Sequence, residues 1–231
     1  IRDSKRYIVW FENSGVVIQC AQADYFLDFT GLGGRGSLEV SGNGGSIVSC
    51  TDSALRSRRP LKVTNVAFTR NRALTQGSAI RCVASEGDAR SQLMVEGCSF
   101  ADELQRPFDS PSESDFEGGG AVWALNVNSV RISDSVFTGN EATQGGAVFL
   151  SNCALVTVSG CTFAGNRALM GSVAGGGALL MRVNNLRPEP AQLEISDTVF
   201  ENNESGGLGA GLYVGGNVRL TIWSVRVVNN T

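Results

Sequence analysis

The chain of 231 residues contains no histidine. That absence removes Ser-His-Asp and Cys-His catalysis, histidine-ligated zinc and any imidazole general base. Six cysteines remain: Cys20, Cys50, Cys82, Cys98, Cys153 and Cys161. No two are spaced C-x-x-C, so neither zinc-ribbon nor thioredoxin chemistry is indicated. An even count in a repetitive chain makes all six candidates for disulfides in an oxidising compartment; the alternative is buried thiols acting as small apolar side chains. Carboxylates offer another route. Asp134 and Asp197 each lie three residues before a phenylalanine, but Gly97 and Gly160 hold, and Val66 neighbours, that place in other units. An isolated pair is thin support for acid–base work on a glycan, which needs two carboxylates facing one bond.

Three further clusters bear on binding. Residues 101–118 hold Asp102, Glu103, Asp109, Glu113, Asp115 and Glu117 against a lone Arg106. They lack the alternating ligand spacing of a calcium loop, so they read as a solvated acidic loop. Residues 54–62 carry Arg56, Arg58, Arg59 and Lys62, which could meet anionic glycans or lipid headgroups and otherwise form an exposed turn. The sequons at Asn203 and Asn229 are candidate glycan sites if the protein is secreted by a eukaryote, although an asparagine turned inward could not be modified. No catalytic, metal or cofactor site emerges. The net charge of −3 argues against a nucleic-acid partner. No apolar run approaches the ~20 residues of a membrane-spanning helix. The chain opens without a signal peptide and reads as a piece of a longer protein.

The elements that must position these residues are repeats. One unit reads F-x-x-N, from Phe68 to Asn71, Phe137 to Asn140, Phe163 to Asn166 and Phe200 to Asn203. A degenerate copy runs from Phe100 to Glu103, and Val227 to Asn230 is another candidate. A second unit reads G-G-A-aliphatic, at Gly119-Gly120, Gly145-Gly146 and Gly176-Gly177, with near copies beginning at Gly44, Gly77 and Gly209. The two units alternate from Phe68 onward. Before each phenylalanine stands a short run alternating apolar and polar residues, over 61–68, 92–100, 130–137, 155–163 and 193–200, the period of a strand. Phe137 and Phe163 are 26 residues apart, which sets the bare repeat.

Strand, turn, strand, turn at this period predicts an all-β fold: a right-handed parallel β-helix, a pectin-lyase-like solenoid with loop insertions. Residues 1–40 are expected as an N-terminal cap or irregular first coil. Residues 41–231 are expected as the helix, with insertions near 54–62, 101–118 and 184–192, which contain all five prolines. Stacking would align the phenylalanines into an internal column and the asparagines into a hydrogen-bonded ladder. Gly-Gly would supply a corner that a Cβ would block.

Alternating F-x-x-N and G-G-A units over about 41–231 resemble the passenger repeats of the chlamydial polymorphic membrane proteins. They are also similar to repeats in large extracellular proteins of green algae and other protists. The degenerate Phe100 unit and the insertions depart from that pattern. The resemblance implies a right-handed β-helix, an extracellular or cell-surface location, and adhesion or self-association, with these Phe, Asn and Gly positions as the associated motif. Expected partners are other protein chains or cell-surface and matrix ligands. The alternatives are a structural subunit of a surface filament or appendage and, further off, a polysaccharide lyase or hydrolase.

Overall fold

The computed structural model describes residues 6–10, 17–19, 27–29, 37–48, 53–73, 76–105, 118–169, 175–184 and 189–231. Every pairing of strands among them is parallel, and no helix occurs. One complete coil shows the plan. Ser129–Ser133 is the first strand, Val136–Thr138 the second, Glu141–Ala142 the third and Val148–Ser151 the fourth. The next coil then begins at Leu155–Ser159, which lies in register on Ser129–Ser133. The strands of successive coils stack into three sheets of fourteen, seven and five strands among the described residues. A chain that returns each strand to its equivalent one coil on is a parallel β-helix.

Alternation fixes which side chains enter the bore. In the first strand Val130 and Ile132 are buried while Arg131 between them is exposed. The equivalents Leu93 and Val95, Val156 and Val158, and Leu193 and Ile195 stack above and below them. The fourth strand is buried at three successive residues in three coils, as in Val122–Leu125, so it is covered on both faces.

The corners explain much of the remaining sequence. Between first and second strands, Asn65, Gly97, Asp134, Gly160, Asp197 and Ser224 all take positive φ. That is the region that glycine, asparagine and aspartate tolerate. Asx and glycine alternate there for a reason. A Cβ on Gly97 would lie 2.5 Å from Asn65 Oδ1, and one on Gly160 would lie 2.5 Å from Asp134 Oδ1. The Asn65 and Asp134 side chains thus cover the glycine of the following coil, whereas Asp197 is followed by Ser224. The Asp134–Asp197 pair is thereby accounted for as corner residues with the Gly160 coil between them.

Several boundaries differ from the expected ones. Within 1–40, Arg6–Trp10 pairs in parallel with residues 37–41, and Leu27–Phe29 pairs with Leu55–Ser57, so strands of a preceding coil stand there. Residues 54–62, expected as an insertion, include the fourth strand Leu55–Ser57 and the start of the next coil at Leu61. Their basic residues do not form one patch: Arg59 is buried, Arg58 is exposed, and Lys62 pairs with Glu39 at 3.0 Å. Near 101–118, the coil continues through Leu104–Gln105, and only 106–117 lie outside the described residues. Near 184–192, Ala191–Ser196 is already strand, and 185–188 lie outside the described residues. The run Gly44 to Ile47, expected as a Gly-Gly corner, is instead aligned with the phenylalanine strand, Ile47 beneath Phe68. Its glycines imitate the motif, but the register places them elsewhere.

Candidate functional site

The repeat motifs build the interior. Phe68, Phe100, Phe137, Phe163 and Phe200 form one column with ring centroids 5.1, 4.6, 4.7 and 4.9 Å apart and planes within 7° of parallel. Coil spacing imposes this stacking, since equivalent residues must lie one strand separation apart. All five rings are buried.

Beside that column runs the asparagine ladder. Asn140 donates its backbone N–H and its Nδ2 to Asn166 Oδ1, at 3.1 and 2.8 Å, and its Nδ2 also donates to Phe100 O at 3.2 Å. Asn166 repeats the pattern on Asn203 and Phe137. Asn203 repeats it on Asn230 and Phe163. Each carboxamide thus satisfies backbone groups that the corner leaves without ladder partners, which is what its burial requires. Asn71, Asn140, Asn166 and Asn203 are fully buried. The sequon at Asn203 therefore carries an inward, doubly engaged amide, and the folded protein offers no glycan acceptor there. Asn229, at the other sequon, is exposed.

In the Gly-Gly-Ala corner the two glycines act differently. The first takes positive φ: 74° at Gly119, 56° at Gly145 and 66° at Gly176. The second meets the next coil. A Cβ on Gly120 would lie 2.0 Å from Gly146 O, and one on Gly146 would lie 2.1 Å from Gly177 O. These motif residues are consumed by architecture.

The disulfide expectation is corrected for the four cysteines within the described residues. Cys82, Cys98, Cys153 and Cys161 are buried thiols. Register supplies the reason. Cys82 lies against Ala124, with the Cys153 coil beyond it. Cys98 and Cys161 are likewise separated by the coil of Ser135, whose Oγ accepts from Cys98 N at 3.2 Å. Two coils amount to about 9–10 Å, beyond the reach of an S–S bond. Instead Cys161 Sγ donates to Ser159 O at 3.2 Å and Cys98 Sγ to Glu96 O at 3.4 Å. Burial pushes the Cys98 and Cys161 thiols up to about 11 and Cys82 to about 12. Cys20 and Cys50 lie outside the described residues. Iodoacetamide at neutral pH is expected to leave peptides containing these four cysteines unlabelled in the native protein and to label all four after unfolding. Peptide mass mapping reads the result. Disulfide-linked peptides, or rapid native labelling, would contradict the structure.

Two features were missed in the sequence. Trp123, Phe149 and Leu180 form a second apolar cluster on the outer side of the fourth strands, with Arg81 over Trp123 at 5.4 Å and Arg182 over Phe149 at 5.8 Å. The uninterrupted apolar runs of those strands were the available signal. The second is a recess along the corner from the fourth strand to the next first strand. Asn126, Asn128, Asn152 and Asn184 line one part of ≈ 340 Å³, with Glu86 and Asp88 at its rim. Asn152 and Asn184 also line an adjoining part of ≈ 450 Å³ with Arg182 and Tyr213. Asn126 and Asn152 take positive φ at equivalent corners, and Asn184 N–H donates to Asn152 Oδ1 at 2.8 Å. Partial burial lowers the Arg182 guanidinium from its ordinary pKa. Among the described residues no three His, Cys, Asp or Glu side chains group as metal ligands.

The coil geometry defines an all-β parallel solenoid with an apolar core and an internal asparagine ladder. A family model described as the right handed beta helix region matches residues 1–231. The chain belongs to that family, whose fold serves both enzymes and non-enzymes. No curated protein and no solved structure matches the chain.

Proposed function

We propose that this chain is a non-catalytic, extracellular or cell-surface β-helix segment of a larger protein, serving adhesion or assembly contacts. The observation that carries the reading is where the repeated residues go. The phenylalanines, the ladder asparagines and the corner glycines are buried, and the two suspected catalytic aspartates occupy corners. What recurs along the rod is a scaffold, and what faces outward is a set of strand faces and corners. The recess of Asn126, Asn152, Asn184, Arg182 and Tyr213 is the contact surface favoured here. It combines half-buried amides, a cation and an aromatic ring within one groove, and recognition sites gather a few placed polar groups in this way. A structural role in a surface filament uses the same scaffold with a fixed neighbour as partner.

The test is solid-phase binding of the folded protein to intact cells, to extracellular-matrix preparations and to itself, wild type beside Asn152→Ala/Arg182→Ala/Tyr213→Ala. Retention that the triple variant loses supports the reading. Release of saccharide products from a polysaccharide panel by the wild type would replace it with an enzyme.

A further inference from the structure

One residue breaks the ladder. Glu103 occupies the place of Asn71, Asn140, Asn166 and Asn203 and is as fully buried as they are. Its Oε1 accepts from Asn71 Nδ2 at 2.9 Å and from Asn71 N at 3.3 Å, as an asparagine carbonyl would. Its own N–H donates to Asn140 Oδ1 at 3.1 Å. A second substitution faces it. Ser78 stands where other coils have the second corner glycine, Gly120, Gly146 or Gly177. Its Oγ lies 2.7 Å from Glu103 Oε2 and also contacts Gly120 O.

Proton counting ties the charge state of Glu103 to the direction in which Ser78 donates. Ser78 has one hydroxyl hydrogen and two acceptors, the Gly120 carbonyl and Glu103 Oε2. Gly120 O has no proton to offer. If the hydroxyl donates to Gly120 O, the contact at Oε2 needs a hydrogen on the carboxyl group. A neutral acid supplies it, and a carboxylate cannot. An ionised carboxylate would also stand fully buried with no salt-bridge partner among the described residues. Among the described residues, the charged groups on the elements packed around it are Arg70 and Arg72 in the Phe68 coil, Asp102 on its own corner and Glu141 in the Phe137 coil. Arg70, Arg72 and Asp102 are exposed, Glu141 is half-exposed, and Asp102 disfavours a second negative charge. Burial, the largest influence, pushes Glu103 up to about 8.

We propose that Glu103 is held as the neutral acid in the folded rod, and that its proton locks the junction between the Phe68 and Phe100 coils, so that ionisation makes this junction a pH-sensitive seam. The Phe100 coil also buries Gln105, two residues beyond Glu103 and just before residues 106–117. The folded state binds a proton at Glu103 that the unfolded chain has released once pH exceeds the ordinary value of 4.5. Folding is therefore favoured below that pH and loses ground as pH rises toward about 8. Within that window the contribution is up to a tenfold loss in the folding equilibrium constant per pH unit.

The experiment measures chemical denaturation from pH 4.5 to 8 for wild type, Glu103→Gln and Glu103→Asn, beside infrared spectra of the folded wild type at neutral pH. Glutamine keeps the shape and gives Ser78 an amide hydrogen. Asparagine restores the repeat. Both are expected to lack the Glu103 share of the pH slope, and the wild type is expected to show a carboxylic-acid carbonyl band that Glu103→Gln lacks. Amide protection at Asn71 and Ser78, corrected for intrinsic exchange, is expected to fall in the wild type above pH 8 and to persist in Glu103→Asn. An unchanged pH slope in both variants, or no neutral-acid band in the wild type, overturns the proposal. The infrared result stands even if a variant fails to fold.

Discussion

Phe137→Ala is expected to cost about 4 kcal/mol of folding free energy, within the range for deleting a buried aromatic side chain. Phe137 is fully buried, and its ring is stacked on two others, 4.6 Å from Phe100 and 4.7 Å from Phe163. Removal leaves a gap that the neighbouring rings cannot close, because strand register fixes their backbones on either side. The lost aromatic contacts add roughly 0.5–1.5 kcal/mol per pair to the burial term. Phe137→Leu keeps most of the volume and is expected to lose less than half as much. The damage should also be local. Each coil touches mainly its neighbours, so stability in a solenoid is close to a sum over adjacent units. Hydrogen exchange is expected to show lost protection in the Phe100, Phe137 and Phe163 coils before the rest. Denaturation midpoints and residue-level exchange check both parts. A loss under about 1 kcal/mol would mean that the column is not tightly packed.

How much of this was legible follows from what a repeat exposes. The phenylalanine column, the asparagine ladder and the Gly-Gly corners could be read from the sequence because identical positions recur and stacking must superpose them. The cysteines could not be assigned, since bridging depends on which coils are adjacent. Cys98 and Cys161 share a column but stand two coils apart. Glu103 stands both at the asparagine place of the degenerate Phe100 copy and in the acidic run 101–118, and a carboxylate there fits either; its hydrogen bonds with Asn71 and Asn140 place it in the ladder. The run from Gly44 to Ile47 imitates a corner in composition and is displaced by its pairing with residues 66–68. The Asx and glycine corners were hidden by their own chemistry. Several residue types tolerate positive φ, so no single letter marks the position.

Gly146→Ala is expected to destabilise the protein by about 3 kcal/mol or more, the upper range for forcing atoms into a packed interior. A Cβ at Gly146 would stand 2.1 Å from Gly177 O and 2.5 Å from Arg167 O, both backbone atoms of the following coil. Neither is the end of a side chain that can swing away. Relief requires the two coils to part, which would strain the hydrogen bonds from Ala147 N to Ala178 O at 3.0 Å and from Gly146 N to Gly176 O at 3.1 Å. Gly165→Ala tests the opposite limit. Gly165 takes φ +62° with nothing within 4 Å of its missing Cβ, so only the left-handed backbone is penalised, at about 1–2 kcal/mol. Gly165→Asn should cost less again, because Asn202 holds the equivalent corner at φ 54°. The expected order of stability is wild type, Gly165→Asn, Gly165→Ala, Gly146→Ala. Thermal or denaturant unfolding of the four proteins reads it directly. If Gly146→Ala proved as mild as Gly165→Ala, the close approach between coils would be wrong, and the conserved spacing of the Gly-Gly-Ala corner within this chain would need another cause than the contact of one coil with the next.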